Sequence, residues 1–113
     1  MLCSEIREIL AEEEEVQRRQ EAIDSLVYVR AKLLRESLDE RMRRAQENGE
    51  WTNLSETECA GLHKEEKRYL ESQVDRLRLE QARTKGTLAK LRRLKTRANL
   101  IRAAQIASQR NRH

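Results

Sequence analysis

The feature that most limits the fold of this chain is a helical repeat of apolar residues that no proline interrupts. None of its 113 residues is proline, although average usage of about 5% would place about five or six in a chain of this length. Proline removes a backbone donor and breaks helices, so its absence leaves long helices free to form. The sequence therefore predicts an all-α protein.

Two runs of apolar residues at heptad-like spacing define two helices, predicted over about residues 4–47 and about residues 55–106. The seam positions of the first helix are Ile9, Val16, Ile23, Val27, Leu34, Leu38 and Ala45. Those of the second helix are Leu70, Val74, Leu77, Thr84, Leu88, Leu91 and Ala98. Steps of three, four and seven residues keep each set on one helix face, so each helix presents a narrow seam to a neighbour.

Residues 48–54 between the two helices have the composition of a turn. Asn48 and Gly49 suit the left-handed end of a helix, and Ser55 with Glu58 matches a capping box at the start of the next one. A connection this short returns the second helix as an antiparallel neighbour, which places residue i opposite position 102 minus i, to within about one helical turn. We predict one domain over residues 1–113, a long antiparallel helical hairpin (coiled coil) with a basic tail at 107–113. Pairing between helices of two chains is the alternative.

The composition indicates that such a hairpin is completed by partner helices. Hydrophobic residues make up 37% of the chain, aromatic residues 3% and charged residues 39%, which leaves few bulky side chains for a self-sufficient core. Between residues 22 and 38 the apolar positions cover an arc of about 180°, wider than one neighbouring helix shields. The predicted interface for partner helices consists of Ile23, Leu26, Val27, Leu33, Leu34, Leu91 and Leu94.

Charge divides the chain into an acidic and a basic half. Residues 1–60 contain 9 basic and 15 acidic residues, residues 61–113 contain 15 basic and 5 acidic residues, and no acidic residue follows Glu80. Three interpretations remain open: neutralisation of the acidic helix within the hairpin, docking on RNA or another polyanion, and a basic cluster of the nuclear-import type. The candidate polyanion-binding residues are Lys90, Arg93, Arg97, Arg102, Arg110 and Arg112.

No constellation of residues indicates catalysis, a metal site or a cofactor. Cys59 and His63 lie four residues apart but supply only two ligands, and neither Cys3 nor Cys59 has a placed base. The glycines are isolated, so no phosphate-binding loop exists. Trp51 in the turn has two interpretations, folding back over the helix ends or serving as a contact for another protein. We expect neither an enzyme nor a small-molecule substrate.

The favoured hypothesis from sequence is a non-catalytic structural or adaptor subunit that acts through coiled-coil packing in a larger assembly. The alternative is binding of a polyanion, RNA or a ribonucleoprotein, through the basic C-terminal segment. No apolar run approaches the about 18 residues of a membrane span, and Glu5 and Glu8 are unlike a signal peptide. We therefore expect an intracellular protein, cytoplasmic or nuclear and not secreted.

Overall fold

The computed structural model of the protein describes residues 2–111, and only the backbone of Leu2. Over these residues the chain forms three α-helices and no strand: α1 is Leu2–Leu34, α2 is Leu38–Glu47 and α3 is Glu56–Asn111. The prediction of an all-α protein is confirmed. The residues group into two compact units, a first unit made of the chain up to Ile23 and from Glu80 onward, and a second unit made of Asp24–Leu79.

In the first unit, α1 and α3 pair in the antiparallel orientation that the hairpin prediction requires. Lys95 Nζ lies 2.9 Å from Oε1 and 2.7 Å from Oε2 of Glu13, and Arg92 donates to the side-chain oxygen of Gln17 at 3.0 Å. The predicted register places residue 89 opposite Glu13 and residue 85 opposite Gln17. The observed partners, Lys95 and Arg92, lie six and seven residues further along α3. That register assumed an uninterrupted first helix, which the structure does not have.

The second unit contains a break where the sequence predicts one helix over residues 4–47. Ser37 caps the helix that follows the break: its hydroxyl accepts a hydrogen bond from the backbone N–H of Glu40 at 3.1 Å and donates one to the Glu40 carboxylate at 3.1 Å. This is a serine cap with a glutamate three residues on, so it starts a new helix. Arg44 spans the break by donating two hydrogen bonds to the Glu36 carboxylate, both at 2.9 Å.

The helix ends next to the turn follow the sequence signals. α2 ends at Glu47, and Gly49 has a φ of 70°, the left-handed conformation that glycine adopts most easily. The Glu58 backbone N–H donates to the Ser55 hydroxyl at 3.1 Å, and the Ser55 N–H donates to the Glu58 carboxylate at 3.3 Å. The predicted capping box is therefore present.

The end of α3 lies later than predicted. The helix continues through residues 107–111, which the sequence assigned to a tail. These residues contain neither proline nor glycine, so nothing local ends the helix there.

The predicted seams form the core, since every seam position is buried or half-buried. In the first unit, Val16, Leu88 and Leu91 form a buried cluster. The buried hydrophobic residues are Ile6, Val16, Ile23, Ala45, Cys59, Val74, Leu88, Leu91 and Ala98. None of the larger side chains in residues 3–111 is completely shielded from solvent. Each unit thus has a thin core, because a few packed helices bury little surface.

Candidate interaction surfaces

An uncovered apolar surface lies on α1 in the second unit. Leu26, Val29 and Leu33 follow one another at three and four residues and so share one helix face. The exposed fraction is 43% for Leu26 and 53% for Val29, and Leu33 is half-buried. We call these three residues the lateral strip. It runs beside the seam positions Val27 and Leu34, which are half-buried, so it remains available once the seam is occupied.

A cleft continues the lateral strip toward the break between α1 and α2. Its volume is about 650 Å³, and Tyr28, Val29 and Leu33 form its apolar wall. Glu36 and Arg44, joined by their two hydrogen bonds, form part of its polar wall. The Arg44 guanidinium lowers the pKa of the Glu36 carboxyl below its usual value, mainly through these hydrogen bonds. The cleft therefore has an apolar side beside a fixed ion pair.

The remaining residues of the predicted partner interface divide into two groups. Ile23 and Leu91 are buried within the first unit, where they belong to the seam between α1 and α3. Leu94 is exposed. Leu94, which lies beside the seam, therefore stays accessible, whereas the seam residues Ile23 and Leu91 pack against their own chain.

Basic residues line the exposed part of α3 in the first unit. Lys90, Arg93 and Arg97 are exposed, and none of them forms an ion pair with another described residue. Every residue from Asn99 to Asn111 is exposed, among them the polyanion candidates Arg102 and Arg110. The sixth polyanion candidate, Arg112, lies outside the described residues.

Neutralisation of the basic half by the acidic helix is partial in the described residues. Lys95 pairs with Glu13, and both side chains are largely shielded. The neighbouring Glu14 and Glu15 pair instead with arginines four residues further along α1, at 4.0 Å and 3.8 Å. Such exposed pairs contribute little to stability. Most of the charge of each helix thus remains exposed to solvent.

A buried arginine organises the connection between α2 and α3. The exposed fraction of Arg41 is 3%, and its guanidinium donates to the two Glu66 carboxylate oxygens at 2.7 Å and 2.9 Å. It also donates to Glu50 at 3.4 Å, and its central carbon lies 3.9 Å from the centre of the Trp51 ring. The two hydrogen bonds from Arg41 lower the pKa of the Glu66 carboxyl below its usual value. Arg41 therefore connects α2, the turn and α3.

The sequence interpretation missed Arg41, although a signal for it exists. Leu34, Leu38, Arg41 and Ala45 continue the spacing of four, three and four residues, so Arg41 occupies a seam position. A search restricted to apolar residues passes over it. The geometry of Trp51 matches the fold-back interpretation, because its ring stacks on Arg41 and its backbone adopts a left-handed φ of 56°.

The residues considered for chemistry do not converge. Both cysteines are free thiols; Cys3 is exposed and Cys59 is buried. Within the part of the chain that the structure describes, no group of three or more metal-ligating side chains comes together. In the same part, no helix is long and apolar enough to span a membrane. Comparison of the chain with protein-family models, curated proteins and solved structures found no match.

Proposed function

We propose that this protein is a non-catalytic structural or adaptor subunit that packs its helices against the helices of a partner. The observation that carries the proposal is the lateral strip of Leu26, Val29 and Leu33, which has heptad-like spacing and in which Leu26 and Val29 remain about half exposed. Apolar rows of this kind serve as helix-binding seams. The function belongs inside the cell, in the cytoplasm or the nucleus.

The energetic reason for a partner follows from the burial of the strip. Complete burial of a leucine or valine side chain stabilises a protein by about 1.5–3 kcal/mol, and Leu26 and Val29 retain about half of that potential. The thin core of each unit leaves little else to offset chain entropy. A partner helix laid along the strip would therefore add stability as well as specificity.

Co-purification tests this function. The tagged full chain is expected to retain a partner, or to self-associate, at moderate salt, and the double variant Leu26→Gln/Leu33→Gln is expected to lose that association. Leu10→Gln is the matched control, because Leu10 is also an α1 leucine and its exposed fraction of 44% is close to that of Leu26. A monomeric wild-type chain that retains no protein would contradict the proposal.

A second candidate function is electrostatic binding of a polyanion such as RNA by the C-terminal part of α3. The segment from Asn99 to Asn111, in which every residue is exposed and which contains Arg102 and Arg110, supports it. No aromatic residue follows Tyr69, so stacking on bases would not contribute. We expect the affinity for single-stranded RNA to fall steeply with salt, and Arg102→Gln/Arg110→Gln to reduce the slope by about 1.4. A salt-independent affinity would exclude this mode.

A further inference from the structure

A cavity lies between α1 and α3 in the first unit, and its volume is about 600 Å³. Ala89 accounts for its position on α3, because this short side chain stands between the long side chains of Lys85 and Arg92 on one helix face. Leu88, which is buried, supplies an apolar wall. We call this space the basic cavity; it is lined by Gln20, Lys85, Leu88, Ala89, Arg92 and Arg93.

The described residues that line the basic cavity include three cations and no carboxylate. None of the three cations forms an ion pair with another described residue. Arg92 donates to the neutral side-chain oxygen of Gln17 at 3.0 Å, so the guanidinium is held in place and keeps its charge. Lys95, about one turn further along α3, pairs with Glu13 instead. The basic cavity therefore retains uncompensated positive charge.

The carboxylates nearest to the basic cavity along α1 do not cancel this charge. Glu21 and Asp24 are the closest in sequence to Gln20, and neither of them lines the cavity. Glu21 accepts a hydrogen bond from the side-chain amide of Gln17 at 3.2 Å, on its own helix. Three cations against these two carboxylates leave a positive excess, and the cations are the groups that an occupant would meet.

Another cavity of the first unit, of about 480 Å³, is lined by a carboxylate as well as by cations. Glu80 lines it together with Arg19 and Arg83, and Arg19 also lies 3.8 Å from Glu15. An anion in that cavity would meet opposing charge. The basic cavity is thus distinguished by the lack of a carboxylate among its described lining residues, and not merely by the abundance of basic residues on α3.

We propose that the basic cavity binds the polyphosphate chain of a small ligand, such as inorganic tripolyphosphate or a nucleoside triphosphate. Arg92 and Arg93 offer paired N–H donors that match phosphate oxygens, and Lys85 adds a compact positive charge. Lys85 and Arg92 are about 10.5 Å apart along the helix, so a chain of linked phosphates reaches both more readily than a single phosphate does. The site shares no residue with the lateral strip and goes beyond the proposed function.

The composition of the basic cavity also specifies which part of the ligand is recognised. None of the described residues that line it is aromatic, so no side chain there stacks on a nucleotide base. Tripolyphosphate, ATP and GTP are therefore expected to bind with affinities within about 3-fold of one another. Single-stranded RNA carries one charge per nucleotide and presents less charge to a cavity of this size, so it should bind there more weakly.

Isothermal titration calorimetry of the full chain with tripolyphosphate, at low salt and without divalent cations, tests the site. Lys85→Gln/Arg92→Gln is expected to bind about 10-fold more weakly, because two of the three cations are lost. Arg83→Gln/Lys90→Gln is the matched control. It removes one lysine and one arginine at the same spacing of seven residues, both exposed, and neither residue lines the basic cavity. The control should bind within about 3-fold of the wild type.

A change of shape without a change of charge provides a second test. Ala89→Leu fills the space between Lys85 and Arg92 and is expected to weaken tripolyphosphate binding. Ala82→Leu is its control, because Ala82 is also exposed, lies seven residues earlier on the same face of α3 and does not line the basic cavity. Far-UV circular dichroism establishes that each variant keeps its helices.

Three results would overturn the polyphosphate site: a folded wild-type chain that does not bind tripolyphosphate, equal weakening by both double charge variants, or a preference of more than about 10-fold for one nucleotide. The second result would mean that binding follows the overall charge of α3. RNA binding that is lost in Lys85→Gln/Arg92→Gln, without any tripolyphosphate binding by the wild type, would assign these cations to an extended polyanion instead. Association through the lateral strip is measured separately and does not depend on these outcomes.

Discussion

Replacement of Arg41 tests whether one buried ion pair secures the connection between α2 and α3. Arg41→Met keeps most of the aliphatic stem but removes both hydrogen bonds to Glu66, the weaker one to Glu50 and the stacking on Trp51. Breaking a buried pair costs about 3–5 kcal/mol, but the exposed fraction of the Glu66 side chain is 40%, so water solvates the carboxylate left behind. We therefore expect loss of the Arg41–Glu66 pair to lower the free energy of unfolding by about 2 kcal/mol.

The stacked ring adds about 0.5–1 kcal/mol, so we expect Arg41→Met to lower the free energy of unfolding by about 3 kcal/mol. Arg41→Lys should lose somewhat less, because lysine keeps the charge but not the two-pronged geometry. Urea unfolding followed by far-UV circular dichroism measures the loss, and the fluorescence of Trp51, the sole tryptophan, reports on the turn. Arg43→Met on the exposed side of α2 is the control. A loss below about 0.5 kcal/mol for Arg41→Met would refute the role assigned to this residue.

The remaining predictions concern the helix break, acid sensitivity and the thiols. Ser37→Ala removes the cap of α2 and should lower the free energy of unfolding by about 1 kcal/mol, measured in urea; an unchanged value would mean that the cap does not hold the break. Because their arginine partners lower the pKa values of Glu36 and Glu66, these carboxylates stabilise the fold above about pH 4.5, and this contribution is lost as pH falls through the lower folded values. Thermal unfolding across this range should show the decline, and a stability that rises on acidification would contradict it. A thiol reagent should modify Cys3 rapidly and Cys59 only on unfolding; equal rates under native conditions would show that Cys59 is not buried.

Spacing alone predicted the parts of the fold that depend on hydrophobic periodicity. The seam positions are buried or half-buried because a three-four repeat places side chains on one face whatever the neighbouring helix is. Ser55 with Glu58 likewise started a helix as predicted, since a capping box is a local interaction. These features need no information from distant parts of the chain.

Other features escaped the sequence interpretation for identifiable reasons. Ser37 and Glu40 have the same sequence spacing as Ser55 and Glu58, and the Ser37 hydroxyl likewise caps a helix, but uninterrupted apolar spacing through residues 34–45 argued for one continuous helix. The register of α1 on α3 depends on that break and could not be obtained without it. The ion pair between Arg41 and Glu66 joins residues 25 positions apart, and no local pattern specifies it.

The candidate surfaces were predictable only in part. The sequence marked the wide apolar band around residues 22–38, but it did not separate Ile23, which is buried within its own chain, from Leu26, which remains 43% exposed. That separation depends on which angular sector of α1 the single neighbouring helix covers.

The most direct test of the account is the mass of the wild-type chain in solution, measured by light scattering over a concentration series at moderate salt. The account holds that the exposed helix faces of a chain with a thin core are covered by the helices of a partner. It predicts that the mass rises above 13.4 kDa with concentration, or that the chain retains a partner, and that Leu26→Gln/Leu33→Gln abolishes this association. A chain that stays at 13.4 kDa at all concentrations and retains no partner would contradict it.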